Sequence, residues 1–301
     1  MLKSVATLGA IALLSPSLAL TSTMGDELDP NSLLNHAPEF GETLPPEQSQ
    51  NDSLTIGPHS ISGTTDPELT LTYASGGDLR ITLPDIGDGY QLQQSNSSAV
   101  HFEDPSTKSS LLVQGNSSGD LRVITTIPSL NSEHEFQYTV DNTFTVSEDG
   151  EGGVLIYRFS DNVSNPEEEQ VELISVAPPW AVDANGNEVP THYQVSENTI
   201  TQVVEKSNEI VYPVTADPTW EWYDFAYGAG WNKRETRELA QYGSASALCA
   251  FLPRGFAEFC GLGAASWIIN TNRAVTRGGC VFYAVAPVPV GLNYDKSKNC
   301  R

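Results

Sequence analysis

Leu69-Thr70-Leu71-Thr72-Tyr73 alternates apolar and polar side chains, the period of a strand with one buried face. Ser75-Gly76-Gly77 supplies turn residues, and Leu79-Arg80-Ile81-Thr82-Leu83 alternates again, so residues 69–83 predict a hairpin. Leu111-Leu112-Val113, the turn string Asn116-Ser117-Ser118-Gly119 and Leu121-Arg122-Val123-Ile124 repeat that arrangement. Gly-Asp-Leu-Arg followed by Ile or Val occurs at 77–81 and 119–123, which fits a duplicated hairpin or two turns with similar needs. Further strands are expected at 136–140, 143–146, 154–159 and 171–176, with turns at Asp141-Asn142 and 148–153. Ala184-Asn185-Gly186-Asn187 reads as a turn between 180–182 and 193–195, and 199–205 with 209–214 as a closing hairpin. No long amphipathic helix precedes residue 230. The pattern predicts a mainly β fold, an antiparallel sandwich or consecutive sheets.

The pattern changes after Ala216-Asp217-Pro218. Trp220, Trp222, Tyr223, Phe225 and Tyr227 cluster there, and Asn232 with Glu235 forms a capping box for a helix to about residue 251. Pro253-Arg254-Gly255 turns the chain, a second helix runs over 256–277 to Gly278-Gly279, and 281–285 with 288–292 reads as a terminal hairpin. The β-rich domain is therefore bounded at 54–219 and a small helical module at 220–301.

Two segments precede the β domain. Residues 1–19 have Lys3, an uncharged apolar stretch, Pro16 and the small residues Ser17 and Ala19, the layout of a secretory signal. Residues 20–53 hold seven acidic residues and no Lys or Arg, which predicts a disordered acidic tail. No later stretch is apolar and long enough to span a bilayer. These features predict a secreted protein, extracellular or associated with the cell surface.

The four cysteines, Cys249, Cys260, Cys280 and Cys300, all lie in the module. In an exported chain an even cluster predicts two disulfides; the wide spacing does not suit a zinc site. An antiparallel helical hairpin sets Cys249 opposite Cys260, and Cys280 and Cys300 bracket the terminal hairpin, so 249–260 and 280–300 is the expected pairing.

Charge refines the picture. The net charge of −23 is uneven: residues 1–218 carry 6 basic and 32 acidic residues, or −26, and residues 219–301 carry 9 and 6, or +3. The acidic body excludes nucleic acid as its partner. The basic end alone suits a negative surface, with Lys296, Lys298 and Arg301 at its terminus.

Motifs for chemistry are sparse. No Gly-x-Ser-x-Gly, P-loop or dinucleotide fingerprint occurs, and no cofactor is expected. Of five histidines only His192 sits in a distinctive string, and a structural or solvent-facing place on a strand suits it better than general-base catalysis. Glu167-Glu168-Glu169 reads as a solvated loop. Asp183-Ala184-Asn185-Gly186-Asn187 has a calcium-loop flavour but wrong spacing, so a tight turn is the better reading. Asn-x-Ser strings stand at Asn51, Asn96, Asn116 and Asn162. The cluster Trp220, Trp222, Tyr223 and Tyr227, with Trp267, is either a candidate interaction surface for sugars or a membrane interface, or buried packing between body and module. Burial is the default for both the cluster and the helices.

Pro179-Trp180-Ala181-Val182-Asp183-Ala184-Asn185-Gly186-Asn187-Glu188-Val189-Pro190-Thr191-His192-Tyr193, then Tyr212-Pro213-Val214-Thr215-Ala216-Asp217-Pro218, and later Trp231-Asn232-Lys233-Arg234-Glu235-Thr236, are specific strings. They resemble a group of secreted actinobacterial proteins, mostly of unknown function, that share "PWAxDANGxxVPTHY…YPVxADP" and then diverge into a Cys-containing helical end opening near "WNKxET". The resemblance implies a common β region with a variable end and brings no catalytic residues. Three functions remain open. The chain suits a secreted, non-enzymatic binding or structural protein contacting envelope polymers or a membrane surface through its module. It also fits a toxin-like or bacteriocin-like effector or, third, an extracellular hydrolase.

Overall fold

The structure is a computed structural model that describes residues 34–49, 53–62, 67–72, 78–87, 91–94, 99–159, 171–252, 256, 259–286, 288–294 and 300. The predicted secretory signal, the predicted turns Ser75-Gly76-Gly77 and Pro253-Arg254-Gly255, Glu167-Glu168-Glu169, Asn51, Asn96, Asn162, Lys296, Lys298 and Arg301 lie outside these residues.

The fold is mainly β, with antiparallel sheets and a small disulfide-bonded α/β end. The chain first builds β1 (Glu47–Gln48), β2 (Leu54–Ile56), β3 (His59–Ser62), β4 (Glu68–Thr72) and β5 (Asp78–Thr82), each paired with its neighbour. It moves to a second sheet with β6 (Gln91–Gln94), β7 (Val100–Glu103), β8 (Ser110–Gly115) and β9 (Leu121–Ile127). β10 (Glu135–Val140) returns to the first sheet; β11 (Thr145–Glu148), β12 (Val154–Phe159), β13 (Val171–Val176) and β14 (Trp180–Val182) belong to the second. β15 (Thr191–Ser196) and β16 (Thr199–Val204) complete the first sheet, and β17 (Val214–Asp217) and β18 (Thr219–Trp231) rejoin the second. Helices α1 (Lys233–Leu239), α2 (Ala245–Phe251) and α3 (Cys260–Arg277) precede β19 (Cys280–Ala286) and β20 (Gly291–Tyr294).

Both predicted strand pairs form: β4 pairs β5 with Leu69 opposite Ile81, and β8 pairs β9 with Leu111 opposite Thr125. Their burial differs. β4 and β5 bury alternate residues, whereas every residue of β8 and β9 is buried. One face of β9 meets the main core, which runs from Leu54 through Phe102, Tyr138 and Ile156 to Trp220. Its other face is covered by the segment predicted to be a disordered tail. Leu34 packs on the buried Ala99, Leu112 and Ile124, and Phe40 lies over the Arg122 guanidinium at 4.5 Å. Pro38 O accepts from Arg122 Nη1 (2.8 Å) and Phe40 O from Asn116 Nδ2 (3.1 Å). The expectation of disorder therefore fails for residues 34–49. The buried cation and amide need acceptors, and the segment's carbonyls provide them.

The predicted closing hairpin of 199–214 does not form. β16 pairs β10 and β15, and the 209–214 stretch gives way to β17, which pairs β9 and β14. Pro213 has no N–H to give a ladder, and it sits inside the predicted strand. The 184–187 turn is present, but its flanks pair elsewhere: β14 with β17 and β15 with β16. The predicted 232–251 helix is two helices. α1 ends after Leu239, and Ser244 starts α2 by accepting from Ala247 N (3.4 Å). Gly243 between them disfavours a continuous helix.

β18 joins body and module. Its start pairs β9 and β13, and its end, Tyr227 to Trp231, pairs β19. At Gly228 a Cβ would stand 1.9 Å from Tyr283 O, so only glycine permits this pairing. β19 then alternates between two cores. Cys280, Phe282 and Ala284 meet Leu155, Tyr157, Val171 and Leu173 of the body. Val281 and Tyr283 meet Leu239, Leu248 and Trp267 of the helices.

Candidate functional site

The basic end of the chain folds as α1, α2 and α3 with the β19–β20 pair, held by local signals. Asn232 Oδ1 accepts from Arg234 N and Glu235 N (3.0 Å each), and Glu235 Oε2 accepts from Asn232 N (3.0 Å). Thr236 Oγ1 donates to Trp231 O (3.1 Å) and accepts from Val281 N (3.2 Å), tying α1 to β19. Gly278, at φ +70°, ends α3 in the left-handed conformation. The two disulfides are Cys249–Cys260 and Cys280–Cys300, with Cα separations of 5.7 and 5.6 Å. The first joins the end of α2 to the start of α3, and the second pins the chain end to β19.

The centre of the module is aromatic. Trp267 stacks on Tyr283 with ring centroids 5.0 Å apart, and Phe256 and Trp267 meet in a T-shaped arrangement. Thr271 Oγ1 donates to Trp267 O (2.7 Å), so Tyr283 donates to Thr271 (2.5 Å). Burial pushes the Tyr283 phenol up to about 12. Trp267 and Trp220, offered as candidate interaction residues, are buried, Trp267 among the helices and Trp220 in the main core beside Tyr138. Neither can contact a partner. The side chains of Trp222, Tyr223 and Tyr227 lie outside the described part, although their backbone is in β18.

The outer face differs. Leu262 is 72% exposed and Phe251 48% exposed, and each follows a cysteine of the same disulfide by two residues. Phe251 stacks on Tyr242 with centroids 4.7 Å apart. Ala245, Ala247, Ala250, Gly261 and Ala265 are exposed around them.

The residues of the specific strings serve another purpose. Asp183 Oδ1 accepts from Asn185 N and Asn187 N (2.9 Å each), and both carboxylate oxygens accept from Asn187 Nδ2. Hydrogen bonds, those of the Asn187 side chain foremost, hold the carboxyl below its usual range. The tight turn thus uses the donors' full attention on one carboxylate. His192 is exposed on β15 beside Gln194 (3.3 Å). Asn116 is buried in its turn, its Oδ1 accepting from Ser118 N and Asp120 N. Among the described residues no group of His, Cys, Asp or Glu is placed to hold a metal ion.

Sequence reasoning missed the buried polar groups. His134 Nδ1 lies 2.8 Å from Ser132 O and therefore carries the proton, so Nε2 accepts from Tyr212 (3.0 Å). Burial lowers the pKa of His134, and likewise of His59 and His101. Arg122 Nη2 donates to Gln114 Oε1 (2.8 Å) across the β8–β9 pair. Asp217 is buried at the end of β17, with Thr219 donating to Oδ2 and no hydrogen-bond partner at Oδ1. Burial raises its carboxyl to about 7, while Thr219, the Arg122 charge and Trp180 act in the opposite sense. The buried Tyr193 phenol is pushed well up, by desolvation first and then by Asp217 and Tyr138. The Ala-Asp-Pro ending of β17 was the only signal, and it names no partner.

No protein-family model, curated protein or solved structure matches the chain.

Proposed function

We propose that the protein is exported and acts outside the cell as a non-enzymatic binding protein. In this reading the acidic β body is a scaffold and the α/β module is the contact end. The carrying observation is the pair of disulfides confined to the module, a stabilisation that persists in oxidising compartments. A module of this size buries little core, and each crosslink, closing a separation of 11 or 20 residues, stabilises it by about 3 kcal/mol. The secretory signal and the resemblance to secreted actinobacterial proteins support the same reading. No helix among the described residues is long and apolar enough to cross a membrane.

The expected result is that the full-length, oxidised protein sediments with isolated cell-envelope fragments and is released when both disulfides are reduced. Equal sedimentation before and after reduction would place the contact on the body. No sedimentation would contradict the reading. The exposed Phe251 and Leu262 favour a second reading, an effector acting on the membranes of competing cells. Dye release from vesicles, as opposed to binding alone, distinguishes it.

A further inference from the structure

We propose that the protein cleaves itself at Asp217–Pro218, the bond between its acidic body and its disulfide-bonded module, with the Asp217 carboxyl as the nucleophile. Cleavage makes the module a separate chain, whatever that end contacts.

The carboxyl is in the right state. Asp-Pro bonds follow Asp29, Asp66, Asp104 and Asp217, and the last two are among the described residues. Asp104 Oδ1 accepts from Ser106 N (2.8 Å) and Ser106 Oγ (2.7 Å), which hold that carboxyl below its usual range and so charged. Asp217 is the opposite case. It is buried, Thr219 donates to Oδ2, and Oδ1 has no partner within hydrogen-bond distance. The groups that face it are Trp180 of β14, Arg122 of β9 and Tyr193 of β15, with Tyr138 of β10 close to Tyr193. The Arg122 guanidinium is shared with Pro38 O and Gln114 Oε1, and burial outweighs its charge, raising the Asp217 carboxyl to about 7. A neutral carboxyl supplies both the attacking oxygen and the proton that the leaving nitrogen needs.

The bond is also in the right place. Pro218 is buried in the one-residue break between β17 and β18. Both sides are held in ladders: Asp217 pairs Trp180, Val123 N donates to Pro218 O (3.0 Å) and Ala177 N donates to Thr219 O (2.9 Å). Pro218 has no N–H, so its nitrogen gives up no ladder bond as it leaves. The attacking oxygen and the carbonyl carbon belong to one residue, so their approach needs no second segment of chain. Oδ1 bonds to the Asp217 carbonyl carbon, the carbon–nitrogen bond to Pro218 breaks, and the carboxyl proton passes to the Pro218 nitrogen, which leaves as a secondary amine. The cyclic anhydride left on Asp217 adds one water and opens to a C-terminal aspartic acid. Nothing is oxidised or reduced. Both disulfides lie beyond the bond, so neither links the two pieces. The pieces stay together through the pairing of β18 with β9 and β13 and the packing of β19 on Leu155 and Leu173.

The test is mass spectrometry of the full-length oxidised protein after incubation at pH 6 and at pH 9, run under denaturing, non-reducing conditions. A fragment of residues 218–301 is expected at pH 6, with less of it at pH 9, where the carboxyl is ionised. The same protein unfolded in guanidinium at pH 6 should cleave about a hundredfold more slowly, since its Asp217 returns to the ordinary 3.8 and is almost wholly charged. Asp217→Asn should lose the fragment. Pro218→Ala keeps the carboxyl but makes the leaving nitrogen a secondary amide, and should release the fragment more slowly. Thermal unfolding shows which variants are folded. An intact folded chain at pH 6 would overturn the proposal, as would equal rates in the folded and unfolded protein. Equal cleavage at Asp104–Pro105 would reduce it to ordinary acid lability, and an unchanged fragment from folded Asp217→Asn would assign the cut to a protease; either overturns it.

Discussion

Replacing Trp267 by Ala should destabilise the protein by about 3–5 kcal/mol, the cost of truncating a fully buried aromatic. Trp267 fills the space between α3 and β19, with Tyr283 stacked on it and Phe256 in a T-shaped contact with it. Its removal leaves a cavity that α3 cannot close, because Cys249–Cys260 holds the start of α3 and Gly278 ends it beside β19. Leu262→Ala, at a position 72% exposed on the same helix, should change stability by less than about 0.5 kcal/mol. Denaturant titration of the two variants checks the contrast. Equal losses would show that the helices do not pack on β19 as described.

The second large effect concerns Asp217. Its ordinary pKa is 3.8, and burial raises it to about 7 in the folded state. The folded state therefore resists ionisation, and the resulting penalty is absent below the unfolded value, grows with pH and is complete above the folded one. Between the two values this amounts to about 2–4 kcal/mol of stability withheld at alkaline pH. Asp217→Asn keeps an acceptor for Thr219 and removes the charge. It should stabilise the protein by that amount at pH 8 and by almost nothing at pH 4. The buried His59, His101 and His134 act in the opposite sense, since their lowered pKa values withhold stability as pH falls below 6.5. In the variant their effect should appear unopposed, as stability rising from pH 5 to pH 7. The chemical-denaturation midpoint measured across this range decides the matter. A gain that is equal at pH 4 and pH 8, or a loss at pH 8, would contradict the buried-carboxylate account.

These two sites differ in how far the sequence foretold them. The module was legible because its signals are local. Asn232 and Glu235 mark a helix start, Gly278 a helix end, and the Pro253-Arg254-Gly255 string between two predicted helices set Cys249 opposite Cys260 in the sequence reading. The 69–83 and 111–124 hairpins were legible for the same reason, apolar segments flanking a string of turn residues. Ladders between distant strands leave no such trace. Nothing in Val214-Thr215-Ala216-Asp217 states that it pairs Thr125 to Ile127, and the local pattern suggested instead that residues 209–214 close a hairpin with 199–205. Polar composition at 34–49 suggested disorder, yet its worth to the fold lies in backbone carbonyls, which composition does not report. The candidate contact face was half legible. Residues 243–269 carry only Arg254 and Glu258 as charges, but periodicity did not show which apolar residues face inward. The fold buries Trp267 and leaves Leu262 outside, five residues apart on one helix.

The central claim is that contact is made by the end of the chain that carries the disulfides. Hydrogen–deuterium exchange of the full-length oxidised protein, with and without isolated cell-envelope fragments, tests it most directly. The account predicts added protection within α1 to β20 and unchanged exchange along β15 and β16. Protection that appears on the strands of the body, with the module unchanged, would contradict it.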